Sequence, residues 1–153
     1  MFHIVLLEPE IPPNTGKVAR TCMVTGSKLH LVRPLGFDVD DKTLKRAGLD
    51  YWQKLDWCVH DSYHEYAAQP ISGRRWYFDT PGEQRYTDVT FQDGDHLIFG
   101  KETTGIPSEV MAENRDTLLR IPMLPAARSI NLSNAVAVVL YEALRQMGFQ
   151  ALG

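Results

Sequence analysis

Residues 3–32 read HIVLLEPEIPPNTGKVARTCMVTGSKLHLV, and this stretch decides the fold. Its first part, His3–Leu7, is a mostly apolar run, which is typical of a buried parallel strand. A loop rich in breakers follows, and Asn14 or Thr15 can cap a helix that ends near Thr25. The apolar run that closes the stretch is a second strand. The order strand, loop, helix, strand predicts an α/β fold with a parallel sheet.

The rest of the chain continues this alternation. Further strands are predicted at Trp57–His60, Arg75–Phe78, His96–Phe99 and residues 118–121. Further helices are predicted at residues 42–47 and 61–68, from 107 or 108 to about 113, and from 132 to about 147. The sequence contains no repeat, linker or low-complexity segment, so we expect one domain over residues 1–153, with helices flanking the sheet.

The composition is that of an ordinary globular protein. The chain has 153 residues, of which 44% are apolar and 23% charged, and this length supports a hydrophobic core without disulfides. No apolar run approaches the roughly 18 residues that a membrane span needs, and no basic leader follows Met1. These features predict a cytoplasmic protein without a membrane partner.

The net charge of −3 argues against a protein that coats nucleic acid through bulk electrostatics. Basic residues nevertheless form small groups, namely Lys17 with Arg20, Lys42 with Lys45 and Arg46, and Arg74 with Arg75. Each group can be a solvated face. Alternatively, several groups brought onto one surface, from one subunit or from two, would form a specific RNA site.

Potential metal ligands are scattered in the sequence. Cys22 and Cys58 form no CxxC pair, so reduced thiols are expected, and a disulfide between them is the alternative. His60 and His64 are four residues apart, but they fall on a strand end and a helix start, which would not place them on one helical face. The acidic residues 38–41 are better explained as a helix cap. The sequence therefore predicts no metal.

Residues 121–134, IPMLPAARSINLSN, have the composition of a binding loop. Pro122 and Pro125 prevent helix and central-strand pairing, so the backbone groups of this loop are free to bond a ligand. The helix that follows can be capped by any of four residues, Ser129, Asn131, Ser133 or Asn134. The alternative is a plain strand-to-helix connection with a strong cap.

The last predicted helix is apolar nearly all the way round. One face can pack on the sheet and is formed by Val136, Val139, Leu140, Ala143 and Met147. The opposite face contains Ala135, Val138 and Tyr141 and needs a second cover. A partner subunit would supply that cover in a homodimer, whereas burial within its own chain is the alternative.

Three predicted strand ends are candidates for a ligand site, because ligands of open parallel sheets lie outside the carboxyl ends of the strands. They are FDT at residues 78–80, FGKE at residues 99–102 and IPM at residues 121–123. The glycine-rich patterns of dinucleotide and triphosphate sites are missing from all three. Backbone amides, small residues and apolar walls suit an adenine and a thioether or sulfonium better than a polyphosphate.

Three segments, in this order, resemble the motifs of the SPOUT RNA ribose methyltransferases. They are NTGKVAR at residues 14–20, FGKETTGIP at residues 99–107, and IPM at residues 121–123 with SINLSNAV at residues 129–136. The segment RAGLDYW at residues 46–52 further resembles the branch that methylates the wobble nucleotide of tRNA. Asp79 departs from the pattern, because a small hydroxyl residue is common at its position in these enzymes.

The resemblance implies a fold, a cofactor and site residues. The C-terminal segment would thread a loop to form a trefoil knot, and the last helix would form a homodimer interface. The methyl donor S-adenosylmethionine would bind without a metal, in contact with Phe78, Gly100, Ile121, Ser129 and Leu132. The catalytic residues Asn14 and Arg20 would lie near the transferred methyl group, with Glu102 and Asn134 around them.

The implied reaction methylates a ribose 2′-hydroxyl in the tRNA anticodon stem-loop, at a wobble cytidine or modified uridine, with leucine isoacceptors expected. A guanidinium is a poor proton acceptor, so Arg20 is expected to hold a phosphate or stabilise the developing alkoxide. The alternatives are a surface ion pair at Arg20, methylation of another RNA site, or an RNA-binding protein without turnover. A hydrolase is disfavoured, because the sequence has no GxSxG and gives neither cysteine a histidine partner.

Overall fold

A seven-stranded sheet forms the centre of the computed structural model, which describes residues 1–39, 42 and 52–153. The strands are β1 (His3–Leu7), β2 (Lys28–Val32), β3 (Trp57–His60), β4 (Arg75–Phe78), β5 (Gln84–Arg85), β6 (His96–Phe99) and β7 (Leu118–Arg120). Their order across the sheet is β3-β2-β1-β6-β4-β7-β5, and every described pairing is parallel. The predicted α/β fold with a parallel sheet is confirmed.

Four α-helices lie among the described residues: α1 (Pro12–Thr25), α2 (Tyr63–Ala68), α3 (Ser108–Glu113) and α4 (Leu132–Gln146). The prediction that α1 begins at Asn14 or Thr15 was wrong, because its N-cap is Ile11 and two prolines occupy the first turn. Proline is tolerated there, since the first N–H groups of a helix have no partner within it. Gly26 ends α1 in the left-handed conformation, with φ of 69°.

The two faces of the sheet bury separate apolar clusters. The larger cluster joins β1, β2, β4, β6 and β7 to α1 and α4 through residues such as Leu6, Val18, Leu97 and Val139. The smaller cluster lies on the other face, where Tyr66 of α2 and Val110 of α3 cover Val5 and Ile98. Burial on both faces explains why the strands are continuous apolar runs.

The last helix divides into a buried and an open face. Val136, Val139, Leu140 and Ala143 are fully buried, as predicted. Val138 and Tyr141 point outward and are 41% and 45% exposed, respectively. Among the described residues, none covers these two side chains fully. Ala135, which was predicted to share their face, is instead partly buried against the larger cluster.

Most predicted elements agree with the structure to within two residues, and the exceptions have local reasons. The two-residue strand β5 is polar and exposed and was not predicted. The predicted helix at residues 42–47, its acidic cap and the RAGLDYW segment lie largely outside the described residues. Within the described part of the chain, no helix is both long and apolar enough to cross a membrane.

Candidate functional site

A cavity of about 490 Å³ opens at the carboxyl ends of β4, β6 and β7. Residues from all three predicted strand ends line it, and so does the loop that leads into α4. The lining includes the five residues named for cofactor contact, Phe78, Gly100, Ile121, Ser129 and Leu132. Its size falls within the roughly 300–1,000 Å³ of small-molecule sites. The three strand ends, at residues 78–80, 99–102 and 121–123, therefore meet at one place.

Aromatic rings form the floor of the cavity. Phe78 and Phe99 end neighbouring strands in register, and their rings stack with centroids 4.9 Å apart. Gly100 follows Phe99 at a point where the chain folds back on itself. The approach is so close that a Cβ at Gly100 would collide with the backbone of Gly105 and Ile106. Glycine is required here by close backbone approach. The turn over residues 100–105 thus forms one wall of the cavity.

The Asp79 carboxylate holds that wall in place. Its Oδ2 accepts a hydrogen bond from the Ile106 backbone N–H at 2.8 Å, and its Oδ1 accepts one from the Thr80 N–H at 2.7 Å. Gly105 lies against this carboxylate with φ of 71°, a conformation that favours glycine. Asp79 therefore ties the end of β4 to the loop after β6. The sequence identified its position but not this role.

The buried Asn14 side chain connects the three motifs. Its Nδ2 donates to Glu102 Oε2 at 3.2 Å, and its Oδ1 accepts from Asn131 Nδ2 at 3.0 Å. The Glu102 carboxylate also accepts the backbone N–H groups of Glu10 and Ile11 at 2.9 and 2.7 Å. Asn14 and Glu102 both line the cavity. The first loop, the middle loop and the final loop are thus joined by hydrogen bonds at the cavity rim.

Asn131 is the residue that caps α4 among the four predicted candidates. Its Oδ1 accepts the Ser133 backbone N–H at 2.9 Å and the Asn134 N–H at 3.4 Å. Because the same side chain donates to Asn14, the start of α4 is fixed relative to α1. Residues 128–132 all line the cavity. The final loop is therefore both a strong cap and part of the cavity wall.

Two of the predicted site residues lie away from the cavity. Arg20 is exposed on α1, two turns beyond Asn14, and does not line the cavity. Asn134 is exposed in the first turn of α4 and contributes its backbone N–H to the Asn131 cap. Arg128, which was not singled out by the sequence, lines the cavity and is exposed. Arg20 and Asn134 are thus placed on the surface near the site rather than in it.

A second polar cluster lies on β1, β2, β3 and β6 and was not predicted. His30 lies 3.3 Å from Cys58 Sγ and 3.0 Å from His60 Nε2, in each case through Nδ1. The expectation that neither cysteine has a histidine partner was wrong for Cys58. The spacing of Cys58 and His60, two residues apart on the predicted strand, could have indicated their shared face. The contact with His30 could not be predicted, because it arises only from the register that places His30 beside Cys58. His60 approaches His30 across the sheet, and His64 is exposed on α2.

Burial sets the protonation of this cluster. It lowers the pKa of His30 to about 2 and that of His96 to about 3, and the neighbouring histidines add to both shifts. Burial also lowers the pKa of His3 and His60 and raises the pKa of the Cys58 thiol. The imidazoles are therefore neutral at physiological pH. The Tyr66 hydroxyl hydrogen-bonds His96 Nδ1 at 2.7 Å, which ties the cluster to α2.

The fold and the first site define a class: an α/β protein with a small-molecule cavity at the carboxyl ends of a parallel sheet. Residues 1–141 match the SpoU rRNA Methylase family. The chain belongs to that family.

Close relatives extend along nearly the whole chain. The tRNA (cytidine(34)-2'-O)-methyltransferase of Saccharophagus degradans is 51% identical over 97% of this chain and 97% of its own. The enzyme of the same name from Escherichia coli is 47% identical over 97% of this chain and 96% of its own.

Solved structures agree with this family. One, described as giving structural insights into the 2-OH methylation of C/U34 on tRNA, superposes with a TM-score of 0.92 at 47% identity and covers 98% of both chains. The SpoU methyltransferase AviRb from Streptomyces viridochromogenes, in complex with the cofactor AdoMet, gives a TM-score of 0.81 at 26% identity. That match covers 95% of this chain and 57% of AviRb.

Proposed function

We propose that this protein transfers a methyl group from S-adenosylmethionine to the ribose 2′-hydroxyl of nucleotide 34 in tRNA, the substrate position named for its relatives. The observation that carries the proposal is the cavity in which the three motifs meet, with Asn14 hydrogen-bonded to both of the others. The 47–51% identity to the named relatives over nearly the whole chain supports the substrate.

The cavity has the chemistry that S-adenosylmethionine requires. Phe78, Ile121 and Leu132 offer apolar walls, and the glycine-rich turn over residues 100–105 offers backbone groups. Ser129 and Arg128 add polar groups at the exposed rim. Apolar walls with a few polar groups suit an adenine and a sulfonium. We therefore assign cofactor contact to Phe78, Gly100, Ile121, Ser129 and Leu132, with no metal in the reaction.

The residues of this chain would orient the methyl donor and the ribose, and they would form no covalent bond with either. When bound, S-adenosylmethionine supplies an activated methyl carbon, to which the ribose 2′-oxygen bonds as the carbon–sulfur bond breaks and the hydroxyl proton passes to a nearby phosphate or to water. We assign Arg20 to the RNA, holding a phosphate or the developing alkoxide, because it is exposed on α1, the helix that also carries Asn14. We assign Asn14 to the part of the cavity rim nearest the methyl group. Its hydrogen bond to Glu102 would hold its side chain in position. Asn134 supports this rim through the α4 cap.

The tRNA partner and the assembly belong to the same proposal. The anticodon stem-loop would contact the cavity mouth, with a wobble cytidine or modified uridine at the site. We further propose a single cytoplasmic methyltransferase domain over residues 1–153, a trefoil knot at the C-terminal loops, and a homodimer through α4. The exposed Val138 and Tyr141 on α4 support the dimer.

The first test is whether transfer occurs at all. Binding of S-adenosylmethionine would be measured by calorimetry, and label transfer from its methyl group would be measured on bulk tRNA from cells that lack this protein. We expect both binding and transfer. Binding without transfer to any tRNA would favour the RNA-binding alternative, and no binding would contradict the assignment of the cavity.

A further inference from the structure

We propose that His30, Cys58 and His60 bind a single zinc ion at a site separate from the methyl-transfer cavity. The three residues lie on β2 and the edge strand β3, whereas the cavity lies at the ends of β4, β6 and β7. Cys58 and His60 are two residues apart on β3, so their side chains share one face of the sheet. His30 faces Cys58 in register on β2 and presents its ring to the same face.

The ligand atoms form a triangle of the size that one ion needs. The Cys58 Sγ lies 3.3 Å from His30 Nδ1 and 3.5 Å from His60 Nε2, and the two nitrogens lie 3.0 Å apart. Tetrahedral zinc, with bonds of about 2.0–2.1 Å to nitrogen and about 2.3 Å to sulfur, places neighbouring ligand atoms about 3.3–3.6 Å apart. Small side-chain adjustments therefore suffice to bring all three atoms onto a common centre.

The neighbouring histidines have the arrangement of an outer shell. His3 Nδ1 lies 2.8 Å from His30 Nε2. When His30 donates its Nε2–H to His3, its Nδ1 carries the lone pair that faces Cys58 and His60. The ring of His96 stacks on His3 at 4.3 Å between centroids, and Tyr66 hydrogen-bonds His96. Such outer hydrogen bonds fix the tautomer and orientation of a metal-binding imidazole.

The chemistry of the ligands selects the ion. One thiolate and two imidazoles are the ligands that zinc favours over magnesium or calcium, which prefer oxygen. Binding requires loss of the Cys58 thiol proton to solvent. His30 and His60 are only 6% and 4% exposed, whereas Cys58 is half-buried, so a water molecule can complete the coordination from the side of β3. The ion would join the edge strand to β2.

A second group of ligands shares His30. It consists of His3, His30 and His96, and it would use His30 Nε2. That nitrogen already bonds His3, and the group has no thiolate. The site with Cys58 uses both sides of the His30 ring, one for the ion and one for the hydrogen bond. We therefore assign the ion to the group that contains Cys58.

The test is titration of the untagged, chelator-stripped full chain with Co²⁺ and then Zn²⁺. We expect one ion per chain and a thiolate-to-cobalt absorption band that Zn²⁺ abolishes. Cys58→Ser should remove the band, and Cys22→Ala, a control on the other thiol, should keep it. Absence of a stoichiometric ion in the wild-type chain would overturn the proposal, as would a band that persists in Cys58→Ser. Cobalt bound without a thiolate band would refute the assignment to Cys58.

Histidine variants make the test specific. His60→Asn should weaken zinc affinity by more than 100-fold, whereas His64→Asn, on an exposed position four residues away, should leave it unchanged. His3→Asn should lower affinity by about 10–100-fold, as loss of an outer-shell partner does. Circular dichroism would verify that each variant is folded. Equal affinity for His60→Asn and His64→Asn would show that the cluster is held by hydrogen bonds alone.

Discussion

Arg20 is the side chain on which we expect methyl transfer to depend most strongly. Arg20 is exposed on α1 and does not line the cavity, so the proposed function assigns its guanidinium to the RNA and not to the cofactor. Arg20→Ala should reduce kcat for methyl transfer by at least 100-fold, about 2.7 kcal/mol of transition-state stabilisation. Affinity for S-adenosylmethionine in calorimetry should stay within a few fold.

The matched control is Arg85→Ala, which removes an exposed arginine that pairs with Asp88 and does not line the cavity. It should leave both kcat and cofactor affinity unchanged. A large loss of cofactor binding in Arg20→Ala would show that this side chain belongs to the cofactor site instead.

The Asn14–Glu102 pair tests whether the three motifs are held together as described. Asn14→Asp would face the Glu102 carboxylate with a second carboxylate at a distance of 3.2 Å in the present structure. Repulsion between like charges, with loss of a buried donor, should lower the free energy of unfolding by about 1–3 kcal/mol. Turnover should fall with it, because the cavity rim is displaced.

In the double variant Asn14→Asp with Glu102→Gln, the new amide at position 102 can donate to the new carboxylate at position 14. This should recover part of the lost free energy of unfolding. Denaturant titrations of the two single variants and the double variant give the coupling energy. Additive effects would mean that Asn14 and Glu102 act independently, in contradiction to the hydrogen bond between them.

At the scale of elements, the turn over residues 100–105 is the part that tolerates least change. A Cβ at Gly100 would collide with the backbone of Gly105 and Ile106, so the turn must open to accept it. Gly100→Ala should cost about 1–3 kcal/mol of stability through overpacking. It should also weaken S-adenosylmethionine binding by at least tenfold, because this turn forms a cavity wall.

Gly153→Ala is the glycine-to-alanine control, since a Cβ there meets no atom within 4 Å. Thermal melting and calorimetry would be run on both variants. Cofactor affinity in Gly100→Ala equal to that of the wild type would place the binding site elsewhere.

Elements with a strong local signal could be predicted from the sequence. The strands β1, β3, β4 and β6 are short apolar or aromatic runs, and their bounds were predicted correctly. The start of α1 was missed because two prolines were taken as part of a loop, although the first turn of a helix accepts them. The polar strand β5 has no hydrophobic pattern and pairs only because β7 lies beside it.

Side-chain networks could not be predicted in the same way. The three strand ends identified the cavity, because the carboxyl ends of parallel strands meet at one edge. The bonds from Asn14 to Glu102 and Asn131 depend on loop geometry, over separations of 88 and 117 residues. The histidine cluster depends on register across β1, β2, β3 and β6. Spacing along one element indicates only the shared face of Cys58 and His60 on β3, and not the contacts made between elements.

At the scale of the whole molecule, the outer face of α4 determines the expected assembly. Val138 and Tyr141 are exposed on a helix whose other face is fully buried, and a second copy would cover them. Val138→Glu should therefore produce monomers in sedimentation velocity, because it places a charge inside the proposed interface. Val138→Thr, which keeps the shape of the side chain, should remain dimeric. A dimer unchanged by Val138→Glu would place the interface on another surface.

Locating the transferred methyl group would establish whether the protein methylates one particular ribose. The protein would be incubated with methyl-labelled S-adenosylmethionine and tRNA from cells lacking it, and the product would be digested with nucleases and mapped. We expect label on the ribose 2′-oxygen of nucleotide 34, in cytidine or a modified uridine, the position named for the relatives. Label on a base, or on a ribose elsewhere in the tRNA, would contradict it.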